Sequence, residues 1–181
     1  LLLRKLNPET ETEFAKADGS ELIDSRSRPA KMRSLVSSSA LAVNFFDSWR
    51  DVPKGFLTNA LKLPEMITSL QFEHKCCNYP IGPKSPNLDL LLTLADGQRI
   101  GIESKFAEPY RNPGVDSALS LKYFPPGPGR WSKVGLLRAQ SLVNEMRGRW
   151  DYLDTPQLLK HMLGLRSEQP EATVQLIYVW Y

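Results

Sequence analysis

Residues 86–106 read Pro86-Asn87-Leu88-Asp89-Leu90-Leu91-Leu92-Thr93-Leu94-Ala95-Asp96-Gly97-Gln98-Arg99-Ile100-Gly101-Ile102-Glu103-Ser104-Lys105-Phe106. Leu88, Leu90, Leu92 and Leu94 recur at every second position, as on one buried strand face. Ile100, Ile102 and Phe106 do the same, with Ser104 the small exception. Asp89 therefore points opposite the leucines, and Glu103 and Lys105 point opposite the isoleucines. Ala95-Asp96-Gly97 is the turn. A two-residue Asp-Gly turn would pair Leu94 with Arg99 and set the two apolar rows on opposite faces of the ribbon. A three-residue loop with Gly97 in the left-handed conformation pairs Leu94 with Gln98 and unites the rows. Hydrophobic matching specifies register strongly, so the second arrangement is expected. It lands Asp89 opposite Glu103, with Cβ atoms roughly 4.5–5.5 Å apart. Carboxylates that close repel, and a divalent cation between them removes the penalty. Lys105, two residues along the same face, is the other available cation. The plain alternative is an Asp–Lys–Glu salt-bridge cluster on an exposed sheet face, a common and weak arrangement.

At Ser85-Pro86-Asn87-Leu88-Asp89 and Glu103-Ser104-Lys105 the chain resembles the PD-(D/E)XK nuclease superfamily, the restriction-endonuclease-like fold. Asp89 stands three positions after Pro86 rather than directly after it, so its role as the motif aspartate is an alignment choice. The resemblance covers residues 70–180. It implies Mg²⁺ held by Asp89 and Glu103, with Mn²⁺ as a substitute, and Lys105 orienting or activating the attacking water. The residue types suit that chemistry. Mg²⁺ is hard and prefers carboxylate and water oxygens. It polarises a scissile phosphate and neutralises charge on the leaving oxygen. A lysine beside the water steadies developing negative charge. The superfamily often adds an acidic residue upstream, and Glu73 is the candidate, as third ligand or base; it could equally pair with Lys75 on the surface. Gln157-Leu158-Leu159-Lys160-His161 resembles the helix motif that many of these nucleases place beside the metal, which makes Gln157 a further candidate. An ordinary polar helix face is the alternative.

Along the chain, residues 1–30 are polar, mixed in charge and without sustained periodicity, so a peripheral N-terminal arm is expected. Residues 31–181 are expected to form a single nuclease-like domain, with truncation at the C-terminus left open. Ser34 to Trp49 carries Leu35, Val36, Leu41, Val43, Phe45, Phe46 and Trp49, which suits a largely buried helix capped near Ser37-Ser38-Ser39. A short helix or two lies between Pro53 and Pro64. Residues 70–77 read as a first strand. Phe124-Pro125-Pro126-Gly127-Pro128-Gly129 excludes helix and central strand. Leu136, Ala139, Val143, Met146 and Trp150 recur at helical spacing. A second helix follows, with Thr155 as cap, Pro156 in its first turn and a core stripe of Leu158, Leu159, Met162, Leu163 and Leu165. Residues 172–181 alternate as a closing strand, with Val174, Leu176, Tyr178 and Trp180 on one face. The expected fold is α/β, a restriction-endonuclease-like core with a small mixed sheet flanked by helices.

The 181 residues are 41% hydrophobic and 24% charged, which suits one globular domain with a sizeable core. A net charge of +3 is too small to announce a nucleic-acid protein. Its distribution says more: Lys122, Arg130, Lys133, Arg138, Arg147 and Arg149 follow the hairpin with Glu145 as the one acid among them. Such a stretch could track phosphates, with Tyr123, Phe124, Trp131 and Trp150 interleaved, or could be a solvated basic face. Lys160 and His161 are added to the nucleic-acid-binding candidates. Adjacent Cys76 and Cys77 are poorly placed to bridge each other, which points to a reducing, cytoplasmic setting. His74 and Cys76 could share a strand face as zinc ligands, but no second ligand pair is visible. No membrane span is visible. The function expected is Mg²⁺-dependent phosphodiester hydrolysis, with DNA as the favoured partner and a homodimer left open. The rivals are a non-catalytic nucleic-acid-binding or scaffold module, and an RNA-processing endonuclease.

Overall fold

A computed structural model describes residues 2–17, 21–77, 85–106, 123, 130–139, 141 and 154–180. Its centre is a four-stranded sheet in the order β1-β2-β3-β4. The strands are β1 (Ile67–Lys75), β2 (Asn87–Leu94), β3 (Arg99–Lys105) and β4 (Val174–Trp180). β1–β2 and β2–β3 are antiparallel, and β3–β4 is parallel. Among the described helices are α1 (Pro8–Lys16), α2 (Ser38–Phe46), α3 (Lys54–Ala60), the short α4 (Arg130–Lys133) and α5 (Thr155–Glu168). This is the α/β mixed sheet flanked by helices that the sequence led us to expect.

The central hairpin takes the register that unites its apolar rows. Leu90 faces Ile102 and Leu92 faces Ile100. The Leu94 amide donates to the Gln98 carbonyl at 2.9 Å. Gly97 closes the loop with φ +84°, which a side chain would disfavour. Leu90, Leu92, Leu94, Ile100 and Ile102 pack into one core with Ile67, Leu70 and Phe72 of β1 and with Val43 and Phe46 of α2. Leu88 departs from the expected row. It joins Leu91, Cys76 and Leu165 in a second cluster, against which Val174 and Leu176 pack. A parallel β3–β4 pair needs a crossover, and the crossover carries α5 over the second face. The sheet is therefore covered on both sides.

The N-terminal stretch, expected as a peripheral arm, instead contributes to the main core. Asn7 caps α1 by accepting from the Glu9 amide, and Leu6 and Phe14 enter the main core. Thr10 Oγ1 donates to the buried Asp47 at 2.6 Å. Arg50, itself buried, pairs with Glu9 and Glu13, and Glu13 also accepts from the Phe72 amide. Phe14 is the one buried apolar residue on this nine-residue helix, too little to show a period, so these polar contacts add to Leu6 and Phe14 in docking it.

Two other boundaries shift. Ser37 caps α2, accepting from the Ala40 amide at 3.1 Å, and the expected helix over 34–49 ends as a 3₁₀ turn over Asp47–Arg50. Asp154, not Thr155, caps α5, accepting from the Gln157 amide at 3.0 Å, with Pro156 in the first turn. The loop 124–129 and most of the helical pattern over 136–150 lie outside the described residues. Trp131, Val134, Leu163 and Tyr123 do form a small described cluster.

Candidate active site

Three adjacent strands each deliver one carboxylate to the same level of the sheet. Phe72 pairs with Leu90 and His74 with Leu88, so Glu73 stands level with Asp89. The β2–β3 pairing ends at Leu90 and Ile102, so Asp89 and Glu103 are the residues immediately beyond the last pair. Glu73 reaches this position with φ +49°, a conformation that costs a non-glycine residue on the order of 1–3 kcal/mol. Glu73, Asp89, Glu103, Lys105 and Gln157 all line one cavity of ≈ 700 Å³.

Around Glu103 the contacts are close. Lys105 Nζ lies 2.8 Å from Glu103 Oε1, and Gln157 Nε2 donates to the same oxygen at 2.6 Å. The expected polar stripe of α5 thus faces the sheet at its N-terminal end. His161, from the next turn, is buried and sets Nδ1 3.3 Å from Glu103 Oε2. That carboxylate oxygen is buried and makes no hydrogen bond to the described residues, as is true of His161 Nδ1. Asp89 Oδ2 accepts from the Ser104 amide at 2.6 Å, which ties the two strands together at the site.

The electrostatics are those of anions held together without enough cations. Burial, then the Glu103 charge, pushes the Asp89 carboxyl well above its ordinary value, with the Ser104 amide and Lys105 pulling the other way. Burial, then Asp89 and Glu21, raises Glu73 to about 8. Burial also raises Glu103, and Lys105 holds it part of the way down. A hard divalent cation fits this set of donors. All the donor atoms are carboxylate oxygens, one buried oxygen lacks a hydrogen bond, and ionising all three acids requires added positive charge.

Sequence reasoning missed one wall of the cavity. Glu21, Arg28, Lys31 and Ser37 to Ser39 line it too. Glu21 is buried, 2.7 Å from Lys31 Nζ, and accepts from Ser39 Oγ at 3.3 Å. A single glutamate in a polar, aperiodic stretch gives no local signal of this role.

The nucleic-acid-binding candidates divide. Lys133 and Arg138 are exposed on and just after α4. Lys160 is half-buried, with Nζ 5.9 Å from the Tyr123 ring centroid. His161 is corrected: only 2% exposed, it lies behind Glu103, with Nδ1 3.3 Å from Oε2, and cannot track a phosphate backbone. The Arg130 side chain, Arg147, Arg149, Lys122 and Glu145 lie outside the described residues. At the other end of α5, ligand-type atoms of His74, Cys76 and Glu168 fall within 4.8 Å of one another. The cation already among them is Arg99, which pairs with Glu168 and sets Nη2 3.1 Å from His74 Nε2. Cys76 and Cys77 are free thiols.

An antiparallel hairpin carrying Asp89 and Glu103-x-Lys105, then a helical crossover to a parallel strand, defines a restriction-endonuclease-like protein of the PD-(D/E)XK type. The family model described as Restriction Endonuclease associating with ARP matches residues 2–180, and the chain belongs to that family. No curated protein and no solved structure matches it. Among the described residues, no helix is long and apolar enough to cross a membrane.

Proposed function

We propose that this protein is a Mg²⁺-dependent nuclease that hydrolyses phosphodiester bonds in DNA inside the cell, with Mn²⁺ able to replace Mg²⁺. The observation that carries the reading is the convergence of Glu73, Asp89, Glu103 and Lys105 on one cavity. Asp89 and Glu103 would hold the metal, with Glu73 and Glu21 as the further carboxylates within the same walls. When bound, the ion would supply Lewis-acid stabilisation of the phosphate and a more acidic water.

The chain's own residues set the stage for that chemistry. Gln157 and Lys105 both hold Glu103 Oε1, leaving Oε2 as the oxygen without a hydrogen bond. The Ser104 amide fixes Asp89 in the same way. Lys105, its charge anchored at Glu103, sits where it can orient a water and stabilise negative charge building on the phosphate. Lys133 and Arg138 offer exposed positive charge for the backbone beyond the cavity. The protein would act in association with ARP, the partner that its family's description gives.

Titration calorimetry with Mg²⁺ on wild type and Asp89→Ala, paired with cleavage assays on matched DNA and RNA, tests the reading. Wild type should bind the ion, Asp89→Ala should lose most of that affinity, and Lys105→Ala should abolish cleavage while still binding Mg²⁺. Equal Mg²⁺ affinity in wild type and Asp89→Ala would replace the nuclease with a scaffold module. Cleavage of RNA alone would turn it into an RNA-processing endonuclease.

A further inference from the structure

The closing strand sets two aromatic rings beside the carboxylate row. β3 and β4 run parallel with Glu103 level with Tyr178 and Lys105 level with Trp180. Neighbouring residues at one level leave the same face of a sheet, about 4.8 Å apart. Tyr178 therefore flanks Glu103, and Trp180 flanks Lys105. Earlier on that face, Val174 and Leu176 pack against the cluster around Leu165 of α5. On the opposite face, Ile177 and Val179 pack against the main core. The two rings belong to neither cluster. Their centroids stand 5.8 Å apart at an interplanar angle of 42°, and Trp180 is 59% exposed. A large flat apolar side chain is thus left in water, one strand away from the lysine and glutamate of the site.

Such a ring suits one feature of nucleic acids in particular. A continuous duplex keeps its base faces in the stack and offers groove edges and phosphates. An unpaired strand offers base faces, and stacking of one base on an aromatic side chain contributes about 1–3 kcal/mol. The neighbouring cavity is of a size to take one part of such a substrate. At ≈ 700 Å³, and walled by Arg28, Lys31 and Ser37 to Ser39 as well as by the acids, it matches a small-molecule-sized piece of substrate.

We infer that Trp180, supported by Tyr178, is a stacking platform for an unpaired base next to the reacting phosphate, and that the substrate is single-stranded DNA, including the unpaired end of a duplex. This rests on the nuclease reading for the position of the phosphate.

Binding is measured by fluorescence anisotropy on the full chain, with Ca²⁺ in place of Mg²⁺ to keep the strand intact. The probes are a labelled thymidine oligonucleotide and the same strand annealed to its complement. The single strand should bind at least about tenfold more tightly than the duplex. Trp180→Ala should weaken single-strand binding by about tenfold and leave duplex binding unchanged. Trp180→Phe, which keeps a flat ring, should retain most of the affinity. Duplex binding as tight as single-strand binding, or Trp180→Ala equal to wild type, overturns the platform. So does dissociation of an assembly by Trp180→Ala, seen by light scattering, because Trp180 would then cover another protein surface. Mg²⁺-dependent cleavage confined to continuous duplex sinks this inference and leaves the nuclease standing. Single-strand binding through Trp180 with no cleavage in Mg²⁺ supports the platform and removes the nuclease.

Discussion

Asp89 holds its place at a cost in stability. Its carboxyl is pushed up by burial and by Glu103, so ionising it in the folded protein is harder than in the unfolded chain. Asp89→Asn keeps an oxygen for the Ser104 amide and removes the charge. Without metal, the variant should melt a few degrees higher than wild type, for a gain of about 1 kcal/mol. In Mg²⁺ the order should reverse, because only wild type gains from binding; a thermal melt series with and without Mg²⁺ checks both signs. His161 makes a second residue-scale prediction. Burial, then Lys105 and Lys160, lowers its pKa to about 3, so its contact with Glu103 is with a neutral ring and is not an ion pair. Its ¹⁵N resonances should stay those of neutral imidazole over about pH 5–8, where an ordinary histidine titrates. The chain has 2 histidines, so His161→Asn assigns the signals.

At the scale of elements, the hairpin was legible because two constraints agreed: apolar alternation and a glycine able to turn left-handed. The α5 stripe was legible only in part. Leu163 and Leu165 are core as expected, but the face turned to the sheet also carries His161 and Gly164, which a count of leucines passes over. Gly164 is where α5 packs closely on Cys76, just past β1, and on Pro86, just before β2. A Cβ built there would lie 2.7 Å from Cys76 Sγ, 2.8 Å from Cys76 Cβ and 3.1 Å from Pro86 Cγ. Gly164→Ala should therefore destabilise by about 2 kcal/mol despite its better helix propensity, read as a lower denaturation midpoint. Because α5 also carries Gln157, the displacement should loosen the contact with Glu103 and lower activity.

Across the whole molecule, Glu168 joins α5 to the end of β1 and the start of β3. It accepts from His74, the Cys77 amide and Arg99. Burial alone would raise its pKa, but these partners together lower it to about 2. A carboxylate depressed in the fold contributes stability that is present above its unfolded value of 4.5 and is lost as pH falls toward about 2. Glu168→Gln should cost about 3 kcal/mol near neutrality by leaving the buried Arg99 short of a counter-charge. Its stability should also be flatter than wild type's between about pH 4.5 and 2, measured by denaturant titration across that window.

Periodicity and turn chemistry are local, so the sequence alone determined the hairpin and its register, the closing strand, and the α/β class. From that register Asp89, Glu103 and Lys105 followed directly, because a strand's period of two leaves little freedom once one face is apolar. The tertiary structure alone decided which distant groups complete the cavity. Glu21 arrives from the aperiodic N-terminal stretch, and His161 turns inward to back Glu103 rather than toward solvent. Trp180 comes level with Lys105 only through a parallel pairing of strands joined by a long crossover. Those placements depend on contacts between residues far apart in the chain, and no local pattern encodes them.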